Sequence, residues 1–494
     1  MKMKRLLCLM AALLLLTGCT AAPKTIAAVT LPPVADPYTP PVGDAGLSGE
    51  RLAVLYLPSA DGQRLLTYYT PVTMSAAQHP AEAVLRALLA FEGNDRVQSL
   101  GGGVTLALTG SDPVELSGSV CTVNLSASAL QLSHQDFYTA CLSIAATLCE
   151  LQGVSHVNVL VAGQSAAMDV GGYLPLGTLS APASHELTLQ WEQLTARRTP
   201  VGENPSQMPL YADATLYFPL EDGAGVAAEA RSLAFPGQHP QQLVLTLLSA
   251  LADGADALPG AAQMPDFASM MLASPAVSDL ESGGKRVTLH FSAGVKNRIT
   301  AMGLDPACCF AAMVQTLTTF IPGLQQVCIL TGDSALTSLY NTRWGTLLFP
   351  GGLHRRTDYA AFLMGQSTLY AAQDSRLTAQ TAALPYRSAR DPRALLLSLA
   401  ARGTLPRDLG DADILGLGIQ GDTLLVNFSQ RYAGVIRDSG LDQRLMAYAL
   451  TETLIEALNV KRVRIYFGSE PVSDLGQALR WDGEFLHNPG LTGG

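Results

Sequence analysis

The strongest constraint on this chain of 494 residues is a short motif that it carries three times. Thr423-Leu424-Leu425-Val426-Asn427-Phe428-Ser429 closes on four residues that recur as Val123-Asn124-Leu125-Ser126 and, more loosely, as Leu289-His290-Phe291-Ser292. Each copy reads as a strand with apolar residues on one face, a polar residue third from the end, and a serine able to start a turn. The flanks recur as well. Upstream lies an opening strand: Val54-Leu55-Tyr56-Leu57, Thr215-Leu216-Tyr217-Phe218 and Ser367-Thr368-Leu369-Tyr370. Downstream comes a helix with a shared Thr-Leu pair (Thr147-Leu148, Thr316-Leu317, Thr453-Leu454), then Gly153, Gly323 or Asn459, a last apolar strand, and Gly163, Gly332 or Gly468. The distances from Ser126 to Val157, Ser292 to Val327 and Ser429 to Val463 are 31, 35 and 34 residues. Landmarks that recur in one order at such similar spacing define a repeated domain.

Within a copy, the opening strand runs into a hairpin-turn pair, Asp61-Gly62, Asp222-Gly223 or Asp374-Ser375. A proline then starts a helix at its first turn, where a missing N–H costs nothing: Pro80, Pro240 and Pro392. Ala81, Val84, Leu85, Leu88 and Leu89 form the buried stripe of the first such helix. Strands at 104–109 and 120–125 follow, then a helix with Cys141, Ile144, Ala145, Leu148 and Leu151 on one face, and a closing strand from Val157 to Val161. The order β-β-α-β-β-α-β predicts an α/β (α+β) fold of three tandem two-layer units, each a small mixed sheet with two helices on one face. The expected boundaries are 51–180, 209–345 and 365–475. A linker at 181–208, a bridge at 346–364 and a tail at 476–494 separate and close them. The bridge is apolar enough to add a strand or pack between domains, and the tail either frays or lies along the third repeat.

Residues 1–19 read as a lipoprotein signal peptide. Lys2, Lys4 and Arg5 precede an apolar run from Leu6 to Leu16, and Leu16-Thr17-Gly18-Cys19 matches the bacterial lipobox. That match implies a diacylglycerol on Cys19, the one modification site expected. No other stretch of 18 apolar residues occurs, so the expectation is a lipid-anchored protein on the extracytoplasmic face of the cell membrane. Six prolines between residues 20 and 50 read as an extended tether.

The net charge of −10 removes the electrostatic footprint of a nucleic-acid binder. Of eight cysteines, Cys8 leaves with the signal and Cys19 is the anchor. Cys141 and Cys149 lie about 12 Å apart along one helix, too far for a bridge. Cys308 and Cys309 are adjacent, and Cys121 stays open as a partner for Cys141 or Cys149. The expected role of these cysteines is as small buried hydrophobes. Gly416-Leu417-Gly418-Ile419-Gln420-Gly421 matches GxGxxG literally, but a strand follows it where a dinucleotide site needs a helix, so Gln420-Gly421-Asp422 reads as a hairpin turn. Gly101-Gly102-Gly103 lacks the Lys-Ser/Thr of a phosphate loop. No nucleophile elbow, zinc-helix motif or carboxylate pair appears, so no catalytic, cofactor or metal residue is assigned and no enzyme is expected. His79 and His239 sit in matching Gln-His-Pro tripeptides. They read as helix-opening residues, since Arg390-Asp391-Pro392 holds the third position, with a shared ligand or pH-responsive site as the alternative. Asn124, His290 and Asn427 read as solvent-face or sheet-edge polarity, with shared recognition as the alternative. Tyr56, Tyr217 and Tyr370 read as half-buried sheet residues rather than stacking platforms.

The ordered pattern of Leu-Tyr, Asp-Gly, a Pro-initiated helix, Val-Asn-Leu/Phe-Ser, Thr-Leu and Gly-Val resembles the GerMN domain of GerM-type sporulation and spore-germination lipoproteins. Copies one and three match best; copy two departs at His290, at an insertion around Gln263 to Ala273 and at Lys285-Arg286. GerMN domains are similar to ring-building modules. The resemblance implies a non-catalytic scaffold or assembly factor, anchored in the membrane through its N-terminal diacylglycerol. It would hold an envelope or sporulation protein complex, or peptidoglycan, through domain surfaces. The alternative is a binding lipoprotein for peptidoglycan fragments or a small solute, although three serial copies with linkers favour beads on a string.

Overall fold

The computed structural model describes residues 36–75, 79–169, 172–198, 208–281 and 283–492. The signal peptide, Cys19, the tether up to residue 35 and the centre of the first linker lie outside the described residues. Among the described residues no helix is long and apolar enough to cross a membrane. Pro40–Gly494 forms one unit. In the segment before it, the Tyr38 amide donates to the Asp36 carboxylate at 3.2 Å.

A segment at Gly43–Gly46 (β1) leads into the first repeat, which has seven principal elements. β2 (Ser48–Pro58) and β3 (Leu65–Ser75) form an antiparallel hairpin. α1 (Pro80–Leu89) follows, then β4 (Val114–Ser117), β5 (Val120–Leu125), α2 (His134–Leu148) and β6 (His156–Val161). β4 and β5 are antiparallel, whereas β5 and β6 are parallel because α2 is their crossover. The second repeat has the same order: hairpin β7 (Leu210–Pro219) and β8 (Val226–Phe235), α3 (Pro240–Ala252), β9 (Ala276–Asp279), β10 (Lys285–Phe291), α4 (Pro306–Phe320) and β11 (Leu324–Thr331). In the third, hairpin β12 (Met364–Gln373) and β13 (Arg376–Pro385) precedes α5 (Pro392–Ala401), β14 (Ile414–Gln420), β15 (Thr423–Phe428), α6 (Gln443–Leu458) and β16 (Arg462–Phe467).

The fold is the mixed α/β arrangement of three tandem units, with one difference from the expected layering. Each hairpin is a sheet of its own and does not join the strands that follow it. The second helix of each repeat therefore packs against the hairpin as well as against its sheet. That placement explains its composition. Every residue of α4 from Ala307 to Phe320 is buried, and α2 is buried from Tyr138 to Leu148 apart from Thr139. A helix apolar on all sides can be stable only inside a core.

One hydrogen bond fastens the hairpin to this helix in every copy. The outward N–H groups of a two-stranded sheet have no partner within it. The Tyr56 amide donates to Thr147 Oγ1 at 2.9 Å, the Tyr217 amide to Thr316 Oγ1 at 2.9 Å and the Tyr370 amide to Thr453 Oγ1 at 3.1 Å. The two residue types that recur in the sequence, the tyrosine of the opening strand and the threonine of the helix, recur because they touch. The other landmarks have equally local causes. Gly153, Gly323 and Asn459 take positive φ where the helix ends, and Gly163, Gly332 and Gly468 do so after the last strand.

Several expectations change. Residues 104–109 form no strand beyond an isolated bridge from Leu108 to Leu125; the partner of β5 is β4, after the break at Asp112-Pro113. The bridge supplies Leu353–His354, a short strand on β11, and most of the strand Gly345–Leu348, which pairs with Ser338–Asn341 at the end of the second repeat. The tail lies along the third repeat: Glu484–Leu486 pairs with β16, and the Trp481 indole N–H donates to Gln443 at 3.1 Å. The end of the proposed tether also belongs to the third repeat. β1 pairs in parallel with β14, Asp44 forms two 2.9 Å hydrogen bonds with Arg393, and Leu47 enters the third core. Gly416 permits this approach, since a Cβ there would meet the Pro41 carbonyl oxygen at 2.5 Å.

The repeats are not independent beads. A single continuous hydrophobic cluster runs through the first and second repeats, whereas the third has its own. Replacing the fully buried Thr316 by valine keeps the volume and leaves the Tyr217 amide without a partner, so Thr316→Val should lower stability by about 1–3 kcal/mol. Thr316→Ser, which retains the hydroxyl, should lose clearly less. Urea unfolding of the two variants is the measurement, and equal losses would contradict the role of the hydrogen bond.

Candidate functional site

The surfaces most distinctive of this chain lie where repeats meet. The outer face of the second hairpin, carrying Thr215 and Tyr217 on β7, covers the outer face of the first sheet. Asn158 Nδ2 donates to Thr215 Oγ1 at 2.7 Å and to Thr122 Oγ1 at 3.3 Å; Thr178 Oγ1 donates to Asn158 Oδ1 at 2.8 Å. The backbone confirms the closeness, because a Cβ on Gly118 would strike the Ala228 carbonyl. At one end of this contact Arg356 pairs with Glu115 of the first sheet, donates to Thr319 and reaches the Tyr217 hydroxyl at 3.3 Å. Burial alone would make the guanidinium easier to deprotonate, but Glu115 and Tyr217 outweigh it and raise its pKa.

The three tyrosine hydroxyls differ in what they meet, and only that of Tyr217 meets this arginine, which lies in the bridge after the second repeat. In the first and third, the hydroxyl donates to a glutamate one turn beyond the threonine: Tyr56 to Glu150 at 2.6 Å and Tyr370 to Glu456 at 2.9 Å. The hydrogen bond to Glu150, with burial, pushes Tyr56 up to about 12; burial, with Glu456, does the same for Tyr370. The second repeat has Thr319 at that position, and Arg356 takes the place of the acceptor.

A second junction joins the first repeat to the third around a cleft of about 630 Å³. Arg390 spans it, donating to the Gln152 carbonyl at 2.7 Å and to the Ala457 carbonyl at 3.3 Å, close to the C-terminal ends of α2 and α6. A cation suits the negative end of a helix dipole. Arg51 reaches the Asn459 carbonyl at 3.4 Å, and Lys461 pairs with Asp422 at 2.7 Å. Burial and the neighbouring Arg51 lower the pKa of Arg390. Among the described residues, neither Arg51 nor Arg390 has a carboxylate within ion-pair distance.

The residues singled out in the sequence serve as structural pins. His79 Nδ1 accepts from the Ala81 amide at 3.1 Å, His239 Nδ1 from Gln241 at 3.4 Å, and Asp391 from Arg393 at 3.1 Å, so all three are N-caps. Asn124 accepts from the Gly163 amide at 2.7 Å, His290 bonds the Gly332 carbonyl at 2.8 Å, and Asn427 accepts from Ser469 at 3.0 Å. The polar position of the central strand thus holds the turn after the last strand. Gly416 to Gly421 lie in hairpin β14–β15, and Gly101 to Gly103 form a turn. The six described cysteines are free, and burial raises the thiol pKa of Cys121 and Cys141. Among the described residues no group of His, Cys, Asp and Glu is placed to hold a metal ion. Arg356 carried no sequence motif, and Arg390 stood in the tripeptide that opens the third repeat's first helix, where nothing in the sequence marked its reach to another repeat.

Residues 54–167 match the family described as "Germane: Sporulation and spore germination". The first repeat is Germane-like. That match spans less than a quarter of the chain, and the second and third repeats carry the same element order and the same tyrosine–threonine hydrogen bond as this Germane-like unit. No curated protein matches the chain significantly. Among solved structures, the tandem GerMN domains of the sporulation protein GerM from Bacillus subtilis are 16% identical, cover 63% of this chain and 99% of their own, and give a TM-score of 0.24. The first GerMN domain of the same protein is 16% identical, covering 28% and 96%, with a TM-score of 0.20.

Two predictions follow from these contacts. Arg356→Met strands the half-buried Glu115 carboxylate and should cost about 2–3 kcal/mol in urea unfolding, whereas the double change Arg356→Met with Glu115→Leu should recover most of that loss; additive losses would contradict the coupling. His79 is held neutral by burial, then by Arg390, with its pKa lowered to about 3. The unfolded histidine protonates near pH 6.5, so the unfolded state binds more protons between those values and stability falls as pH drops through that window. His79→Asn keeps a capping acceptor and should make the urea midpoint less sensitive between pH 7 and 4.5.

Proposed function

We propose that the chain is a non-catalytic, GerM-like assembly protein of the cell envelope, acting in sporulation or spore germination. In this reading a diacylglycerol on Cys19 anchors it to the extracytoplasmic face of the membrane, and its repeats hold an envelope protein complex or peptidoglycan. The proposed units are 51–180, 209–345 and 365–475. The observation that carries the reading is the interlocking of the first two repeats through one continuous core and a buried polar interface. Such a body presents fixed surfaces, which suits positioning of partners more than a hinged closing around a solute.

The Germane match supports the sporulation context. The lipobox residues support the anchor. The test is capture of partners from solubilised envelope of sporulating cells by the full chain, beside capture on purified peptidoglycan. Retention of a defined protein set, lost when surface residues at a repeat junction are exchanged, is expected; retention of nothing but a soluble wall fragment would overturn the assembly role.

The cleft between the first and third repeats favours a second reading, a binding lipoprotein for anionic wall fragments. Arg51 and Arg390 line the cleft together with Glu50, Glu150 and Asp422 but form no ion pair with them, and a carboxylate-bearing muropeptide would complement the two cations. Saturable binding of purified muropeptide that is lost in Arg51→Ala would establish it.

A further inference from the structure

The contact between the first two repeats pairs a hairpin's outer face with a sheet's outer face, and the chain carries both surfaces elsewhere. The repeat landmarks give the equivalent positions. Tyr217 corresponds to Tyr56, so Thr215 corresponds to Val54 and Asp213 to Leu52. Asn124 corresponds to His290, so Thr122 corresponds to Thr288. Thr122 pairs with Asn158 and Thr288 with Cys328. Leu179 lies opposite Val157 on one edge, and Leu353 lies opposite Cys328 on the other, which makes Leu353 the counterpart of Thr178.

These counterparts are only partly covered, and Leu52 and Val54 stand at the rim of the cleft between the first and third repeats. On the first hairpin Leu52 is 70% exposed and Tyr69 60%, with Tyr69 directly across from Val54 and Pro71 across from Leu52. On the second sheet Thr288, Cys328 and Leu353 are half-buried. Their chemistry has changed together. The inner interface joins Thr215 to Asn158 and Thr178 by hydrogen bonds; the two counterpart surfaces place Val54 on one side and Cys328 and Leu353 on the other. A surface meant only for water would favour the polar set, whereas a matched polar-to-apolar change on hairpin and sheet suits a contact between them. The third hairpin does not fit as well, since it has Thr368 across from Thr381 at the corresponding place.

We propose that the first hairpin of one copy docks on the outer face of the second sheet of another copy, repeating between molecules the contact that joins repeats one and two within the chain. The partner is thus a second copy of this chain. Because hairpin and sheet are different surfaces, the contact is head to tail, and its repetition builds a row or a closed ring. This deepens the assembly reading and rests on it.

The second sheet offers its own reporter in Cys328. The full chain carrying Leu52→Cys, solubilised in detergent and treated with a short bismaleimide, should give dimers and higher species on a denaturing gel, at least tenfold more than the parent chain. Adding Cys328→Ser or Tyr69→Arg should abolish them. Thermal melting like that of the parent shows that each variant is folded. A folded Leu52→Cys chain that stays monomeric, or cross-linking that survives Cys328→Ser, would overturn the docking. If envelope partners are still captured while no cross-link forms, self-docking fails and the assembly role stands; loss of both contradicts both.

Discussion

The hydrogen bond from a hairpin tyrosine amide to a helix threonine hydroxyl is the contact on which each repeat depends. A two-stranded hairpin is marginal on its own, and half of its backbone groups face away from the partner strand. The threonine gives one of these groups a partner in the middle of the apolar helix. It thereby fixes the hairpin's register over the helix, and the leucines on its inner face, such as Leu55 and Leu57, become fully buried. Each such side chain contributes about 1.5–3 kcal/mol. The single polar contact adds less energy than the packing, but it decides which packing forms.

Once the hairpin is fixed, its outer face is available for another use. In the second repeat it closes over the first sheet, so Thr215 and Tyr217 are satisfied from outside their own unit. The junction is partly polar, and partly satisfied polar networks are costly, so its hydrogen bonds specify one relative placement of the two repeats. The third repeat is held differently. Arg390 joins the ends of two equivalent helices, and β1 adds a strand to the third sheet. β1, which precedes the first repeat in the chain, thus belongs to the sheet of the last repeat.

The threefold repeat, its element order and its turn residues were legible because each rests on a local requirement: a proline at a helix start, a positive-φ residue at a helix end, alternation in a strand. His79 could be placed for the same reason, whereas the polar position of Asn124, His290 and Asn427, read as solvent-face or sheet-edge polarity, holds the turn after the last strand, with Asn427 fully buried. Relations between elements were not legible. The separation of hairpin from sheet leaves no trace in alternation, since both read as half-buried strands. Alternating Val104, Leu106 and Leu108 imitated a strand, although Leu106 enters the core from irregular backbone. The tether's end gave a proline- and glycine-rich composition, and only the close approach to Gly416 shows why glycines stand on both sides. Arg356 and Arg390 act across repeats, and one copy of a repeat cannot announce a contact that exists once.

Native-state hydrogen exchange under mild denaturant tests the central claim most directly, because it reads the threonine-bonded amides and the joining of the first two repeats together. The account predicts that the amides of Tyr56, Tyr217 and Tyr370 are the most protected of the outward-facing hairpin amides. It also predicts that the first and second repeats open with one common free energy, distinct from that of the third. Exchange of the three tyrosine amides at the rate of exposed backbone, or separate opening of the first and second repeats, would contradict it.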